Sequence, residues 1–199
     1  MFGHAELFGI VGAVLASVSF IPYIISMVRG RTKPSRVTWS LWAISAFLIL
    51  VLYVFSDEPV GWTILLPIVY FFGQGTVALL SLKYGVRGWT RLDVVCLMSG
   101  LISIVLWIIF HDPLVSLFLL IGSDFFGALP TIRKSYSGPQ SEDTLTWFLT
   151  TLGDFCLLLA VESATLFVVA FPLYLFVING LITILTLRKF FFSPKRLNR

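Results

Sequence analysis

The chain has 199 residues, of which 58% are hydrophobic and only 12% are charged, whereas soluble domains carry about 25% charged residues. A chain of this size cannot bury so much apolar surface in one core, so the composition excludes an ordinary water-soluble domain and indicates that lipid surrounds most of the protein. The formal net charge of +4 does not indicate a nucleic-acid partner, because its distribution along the chain is explained by membrane topology.

A helix needs about 20 predominantly apolar residues to cross a bilayer. From the N-terminus onward, seven such runs follow one another, at 7–28, 37–56, 61–83, 92–110, 113–135, 145–162 and 165–188. No basic segment precedes the first run, so we do not expect a cleavable signal peptide. The sequence therefore predicts an all-α integral membrane protein with seven transmembrane helices and short connections.

The basic residues predict the orientation of these helices. All fourteen fall on alternate connections or on the C-terminal segment: Arg29, Arg31, Lys33, Arg36, Lys83, Arg87, Arg91, Arg133, Lys134, Arg188, Lys189, Lys195, Arg196 and Arg199. The other connections carry Glu6, Asp57, Glu58, His111, Asp112 and Glu162. Because basic residues stay on the cytoplasmic side, we expect the N-terminus outside and the C-terminus inside. The compact loops favour a bacterial or archaeal inner membrane.

Two stretches of the chain repeat one pattern. Residues 19–39 read "SFIPYIISMVRGRTKPSRVTW" and residues 127–147 read "GALPTIRKSYSGPQSEDTLTW". Identities at this offset of 108 include Pro22/Pro130, Gly30/Gly138, Thr38/Thr146 and Trp39/Trp147. Beyond the next connection the offset drops to 105 and matches Pro67/Pro172, Phe71/Phe176 and Gly75/Gly180.

The repeat predicts a 3-1-3 plan of two parallel triple-helix bundles. The fourth helix returns the chain across the membrane, so the second bundle inserts in the orientation of the first. We accordingly divide the chain into a first repeat at 1–86, a linker helix at 87–111, a second repeat at 112–190 and a basic cytoplasmic tail at 191–199.

With this plan, an external N-terminus and a proline in the first helix of each half, the chain resembles the SWEET sugar transporters and the wider PQ-loop superfamily. "ALPTIRK" at 128–134 is similar to a signature of that family in the fifth helix. The resemblance implies a substrate-facing Asn late in helices 3 and 7; Asn179 fits that position in helix 7, and Gln74 stands in place of the Asn in helix 3. The helix prolines are followed by Tyr23 and Thr131 rather than by the Gln that names the superfamily.

Four polar residues lie at one predicted depth. Counted at about 1.5 Å per residue from the cytoplasmic helix ends, the side chains of Gln74, Asp124, Asp154 and Asn179 fall near the middle of a hydrocarbon core about 30 Å thick. They come from four different helices. We therefore expect them to surround a central cavity between the two bundles.

Each polar pair has a functional and a structural interpretation. A carboxylate at the bilayer centre costs about 2.5–3.5 kcal/mol, so Asp124 and Asp154 would either share a proton or a cation, or cap and bridge helices. Gln74 and Asn179 can donate and accept hydrogen bonds, which suits a polyhydroxylated or amide-bearing solute, although interhelical bonding is the alternative. Tyr70 and Ser45 are second-rank candidates for substrate binding.

Two tryptophans and four prolines complete the candidate residues. Trp39 and Trp147 begin helices 2 and 6, where they would lie in the interfacial aromatic belt or form a cytoplasmic gate. Pro22 and Pro130 each free a helical carbonyl and make hinges. Pro67 and Pro172 are matched hinge candidates nearer to helix starts.

The sequence contains no enzyme signature, and we expect no cofactor and no metal. The leading hypothesis is a transporter that moves a small polar solute, in particular a sugar, by alternating access. Alternatives are a nicotinamide-riboside carrier, which "WSLWAIS" at 39–45 partly resembles, a proton-coupled amino-acid carrier, and a receptor or scaffold that binds without transport. The expected partners are the solute and the bilayer, and a homo-oligomer is compatible with the sequence.

Overall fold

The computed structural model of the protein describes residues 3–86, 88, 90–110 and 112–191. These residues form seven α-helices and no strands: α1 His4–Val28, α2 Arg36–Phe55, α3 Leu65–Tyr84, α4 Arg91–Ile109, α5 Pro113–Ser137, α6 Thr144–Leu159 and α7 Leu166–Phe191. Two 3₁₀ turns, Gly61–Ile64 and Pro139–Ser141, precede α3 and α6. Arg87, His111 and positions 192–199 of the predicted tail lie outside the described residues. The predicted all-α class is confirmed.

Six of the helices are long and apolar enough to cross a membrane. The exception is α6, which has 16 residues and rises about 24 Å, less than a hydrocarbon core of about 30 Å. Asp143 caps its start by accepting a 2.9 Å hydrogen bond from the N–H of Thr146. The helix ends at Leu159, earlier than the predicted 162, because a turn begins at Ala160.

Large apolar side chains cover the outside of the bundle. Exposed examples occur on every helix, including Val14, Val54, Phe72, Val95, Phe118, Phe148 and Ile184. Exposed apolar side chains in such number would be unstable against water, whereas lipid solvates them. The outer surface therefore agrees with the composition.

Six helices close into a ring. Helix α3 packs against both α1 and α2, and α7 packs against both α5 and α6. The two three-helix groups, α1–α3 and α5–α7, meet where α1 packs on α6 and where α2 packs on α5. Helix α4 lies outside this ring, against α5 and more lightly against α2. The ring leaves a central axis between the two groups.

The contact between α1 and α6 is close because small residues face each other. A Cβ atom added to Gly153 would lie 2.9 Å from the backbone nitrogen of Ala16 and 3.0 Å from the carbonyl oxygen of Gly12. Only glycine fits at such a distance from a neighbouring backbone. One of the two seams between the groups is thus a direct backbone contact.

Basic side chains connect the helix ends at one end of the bundle. Arg36 donates to the carbonyl of Ser81 at 3.2 Å and to that of Leu82 at 3.0 Å. The Nζ atom of Lys134 donates to the carbonyl of Lys33, and that of Lys189 to the carbonyl of Glu142 at 3.0 Å. The connections α1–α2, α3–α4 and α5–α6 therefore lie together with the end of α7.

Candidate functional site

Asp154 is the centre of a buried hydrogen-bond network. The Tyr70 hydroxyl donates to its Oδ1 at 2.5 Å, and the Asn179 amide donates to its Oδ2 at 2.8 Å. All three side chains are buried. They come from α6, α3 and α7, so both carboxyl oxygens are held by neighbouring helices, one of which belongs to the other three-helix group.

Asp124 on α5 has separate partners. The Tyr174 hydroxyl donates to its Oδ2 at 2.7 Å, and the Trp42 indole N–H donates to its backbone carbonyl at 2.9 Å. The Asp124 side chain is 2% exposed. The two aspartates thus face the interior and not lipid, and each has its own tyrosine.

Two of the predicted polar side chains contain an oxygen without a partner. Gln74 is 5% exposed, and its Oε1 accepts no hydrogen bond within the described residues. The Oγ of Ser45 is likewise buried and without a partner there. Burying a polar atom without a partner costs about 1–3 kcal/mol of stability. Both oxygens are therefore suited to accept a hydrogen bond from a water molecule or a ligand.

A cavity lies between the two three-helix groups, which we call the central cavity. Its volume is about 20 Å³, room for about one water molecule. Six of the predicted site residues line it: Trp39, Tyr70, Gln74, Asp124, Trp147 and Asn179. The other wall residues are Phe20, Trp42, Thr146, Thr150, Leu175 and Ile178. Asp154 is not in the wall, but it accepts hydrogen bonds from Tyr70 and Asn179, which are. Ser45 is also outside the wall.

An aromatic cluster lies beside this cavity: Tyr23, Trp39, Trp42 and Trp147, of which the three tryptophans line it. The Trp39 ring centroid lies 5.3 Å from that of Trp42 and 6.4 Å from that of Trp147. Trp39 also donates from its indole N–H to the Tyr23 hydroxyl at 3.1 Å. Trp39 and Trp147 are 3% and 2% exposed, so the interpretation as interfacial belt residues is wrong, because both rings turn into the bundle.

A buried carboxylate joins this cluster to the basic end of the bundle. Glu142, in the connection between α5 and α6, is 2% exposed. It accepts a 3.0 Å hydrogen bond from the Trp147 indole at Oε2 and makes an ion pair with Lys134 through Oε1. Lys134 in turn reaches the carbonyl of Lys33. We call Glu142, Lys134 and Trp147 the Glu142 cluster.

The prolines differ in their positions. Pro22, Pro130 and Pro172 lie inside α1, α5 and α7. Pro67 is the third residue of α3, within the first turn, where its missing N–H would have no intrahelical partner.

Three residues of this site were missed by sequence reasoning. Tyr174 lies in an apolar run, and nothing in its immediate sequence distinguishes it from a lipid-facing aromatic. Trp42 belongs to the "WSLWAIS" stretch, which pointed to a carrier resemblance but not to this residue as part of the site. Glu142 carried a signal, since it is a carboxylate in the most basic set of connections. Its position five residues before Trp147 could have paired it with that indole.

Comparisons of the chain with family models, with curated proteins and with solved structures give no match. Within the described ranges, no group of three or more His, Cys, Asp or Glu side chains is placed to hold a metal ion. The arrangement of the site itself is therefore the basis for any functional conclusion.

Proposed function

We propose that the protein is a SWEET-like membrane transporter, which moves a small polar solute, in particular a sugar, by alternating access through the central cavity. The observation that carries the proposal is the set of buried polar side chains between the two three-helix groups. Gln74, Asp124, Asp154 and Asn179 converge there from four helices. Intramembrane polar groups are costly and mark solute or ion pathways.

The order of helix contacts supports two equivalent repeats. In each group the third helix packs between the first and the second, as α3 does between α1 and α2 and α7 does between α5 and α6. The seams α1–α6 and α2–α5 are equivalent under the exchange of the groups. Together with the sequence identities at offsets of 108 and 105, this pattern supports a twofold axis along the membrane normal.

The proposed topology has seven spans with the N-terminus outside. The meeting of the basic connections at one end of the bundle supports it, since basic residues stay on the cytoplasmic side. For α6 to count as a span, the bilayer must adapt to its 16 residues, and thinning or snorkelling costs only fractions of a kcal/mol per Å of mismatch.

In this proposal the structure is a closed state. A cavity of about 20 Å³ holds no sugar, so the two groups must separate to admit one. The aromatic cluster and the Glu142 cluster close the end that faces the basic connections. Trp39 and Trp147 would then act as the cytoplasmic gate, and Pro22, Pro130 and Pro172 would supply the hinges.

Uptake of radiolabelled solutes into proteoliposomes tests the proposal, with sugars, nucleosides including nicotinamide riboside, and amino acids as separate arms. Protein-dependent uptake of one class is expected. Binding of a solute without uptake would instead favour a receptor. The absence of both binding and uptake in every arm would contradict the proposal.

A proton-linked mechanism is favoured by the two buried aspartates. An imposed pH gradient should then drive accumulation, and Asp124→Asn and Asp154→Asn should each abolish the accumulation while leaving exchange of solute down its gradient. If both variants respond to the gradient like the parent protein, the carboxyl groups have no part in coupling.

A further inference from the structure

A second pocket lies at the basic end of the bundle, outside the central cavity. Its volume is about 310 Å³, and it lies between the ends of α2, α4 and α5 and the connection that follows α3. We call it the basic pocket. Its wall is formed by Ser35, Arg36, Val37, Val86, Gly88, Thr90, Leu92, Asp93, Pro130, Arg133, Lys134 and Ser137.

The wall contains three cationic side chains and one carboxylate. Asp93 is already occupied, since its Oδ2 accepts from the N–H and the hydroxyl of Thr90. Among the residues that the structure describes, Lys134 makes an ion pair with Glu142, whereas neither Arg36 nor Arg133 pairs with a carboxylate. The pocket therefore has an excess of positive charge.

The side chains of the two unpaired arginines, Arg36 and Arg133, differ in how far they can move. Arg36 is anchored through Nε and Nη2 to the carbonyls of Ser81 and Leu82, so its guanidinium is a fixed part of the wall. Arg133 is exposed and can turn towards a ligand. A guanidinium binds phosphate oxygens in a bidentate geometry, which makes a phosphate the matching anion.

The remaining wall combines the hydroxyl groups of Ser35, Thr90 and Ser137 with apolar side chains, and its apolar part favours a lipid over a free phosphate ion. Val37, Leu92 and Pro130 belong to helices that continue into the lipid-facing part of the bundle. Helix α4 lies outside the ring, and the pocket lies between the start of α4 and the ends of α2 and α5. A cleft that is charged at the helix ends and apolar beside them fits a headgroup with its glycerol backbone.

We propose that the basic pocket binds the phosphate of an anionic phospholipid headgroup, with Arg133 as the contacting residue and Arg36 as the fixed cation of the wall. The assignment of this site does not depend on transport through the central cavity. The cationic side chains recognise a phosphate monoester or diester. The shape and the apolar part of the pocket indicate that this phosphate belongs to a lipid.

Native mass spectrometry of the full chain in neutral detergent tests this, with dioctanoyl phosphatidylglycerol, dioctanoyl phosphatidylcholine and inorganic phosphate as the probes. Phosphatidylglycerol should bind in preference to phosphatidylcholine. Arg133→Gln should weaken that binding about fivefold, and Ser137→Trp should weaken it by filling the pocket. Arg29→Gln, which removes an exposed charge outside the wall, should bind like the parent chain.

Three results would overturn the assignment. Equal weakening of phosphatidylglycerol binding by Arg29→Gln and Arg133→Gln would show that the lipid is attracted by the general positive surface charge and not by the pocket. Equal binding of phosphatidylcholine would remove the need for an anion. Displacement of phosphatidylglycerol by equimolar inorganic phosphate would identify the occupant as a soluble ion. Melting temperatures of the variants, measured in parallel, should match that of the parent chain.

Discussion

The hydroxyl of Tyr70 lies 2.5 Å from Oδ1 of Asp154 and joins α3 to α6 across the axis of the bundle. The other oxygen of the same carboxyl group is held by Asn179 from α7, which belongs to the same three-helix group as α6. A separation of the two groups must therefore break the bond to Tyr70 and can keep the bond to Asn179.

Removing the Tyr70 hydroxyl should destabilise the closed bundle. Tyr70→Phe leaves one oxygen of Asp154 buried without a partner, and we expect a loss of about 1–2 kcal/mol in the free energy of unfolding. Tyr53→Phe is the matched control, because the Tyr53 hydroxyl is buried and has no partner within the described residues. Unfolding by SDS titration in mixed micelles measures both. Equal losses in the two variants would remove the special role of the Asp154 bond.

The unpartnered oxygen of Gln74 should matter for the solute and not for the fold. Gln74→Met keeps the size of the side chain and removes a buried acceptor, so the melting temperature should stay constant or rise. Uptake in proteoliposomes should lose about threefold to tenfold in kcat/KM, the value of one hydrogen bond. Leu79→Met on the exposed face of α3 should change neither quantity. A Gln74→Met variant with lower stability and normal uptake would assign the side chain to packing.

The close seam between α1 and α6 should not tolerate a methyl group. Gly153→Ala places a Cβ 2.9 Å from the backbone nitrogen of Ala16, and overpacking of this kind costs about 1–3 kcal/mol. Gly180→Ala is the control, since its Cβ would meet the Thr151 side chain at an ordinary 3.7 Å. Thermal unfolding in detergent should separate the two variants clearly. A Gly153→Ala protein as stable as Gly180→Ala would mean that the helices are not in backbone contact.

Neutralising Glu142 should loosen the end of the bundle that the aromatic cluster closes. Glu142→Gln removes the ion pair with Lys134, and the charged contact is worth about 1.5–3 kcal/mol. The readout is labelling of Thr150→Cys, in the wall of the central cavity, by a membrane-impermeant thiol reagent in a Cys96→Ala, Cys156→Ala background. Labelling should rise about tenfold from the side of the basic connections.

The control for this experiment is Glu162→Gln, a carboxylate in the connection between α6 and α7, at the opposite end of α6. It should leave the labelling of Thr150→Cys unchanged. Unaltered labelling in Glu142→Gln would show that the ion pair does not hold the closed end.

The positions of the helices were readable from the sequence because lipid imposes a simple rule on length and polarity. The runs 37–56, 92–110 and 113–135 lie within a few residues of α2, α4 and α5. The rule fails at the end of α6, where the turn after Leu159 shortens the helix. Caps and turns depend on local hydrogen bonds, to which an average over an apolar run is insensitive.

That Gln74, Asp124 and Asn179 meet at one level of the bundle was also readable, since it follows from counting along each helix. Their partners were not, because partners depend on how the helices rotate against one another. Tyr174 was missed for this reason, and Trp39 and Trp147 were assigned to the lipid interface as one alternative because tryptophans near helix ends are commonly found there. The rotation of α2 and α6 instead turns both indoles inward.

Lys134 belongs to two neighbourhoods at once, since it stands in the wall of the basic pocket and is also ion-paired with Glu142. An anion that enters the pocket competes with Glu142 for the same ammonium group. With the proposed lipid site and the proposed transport cycle together, the composition of the surrounding bilayer would set how firmly the closed end is held, and a change of lipids would change the transport rate without a change in the amount of protein.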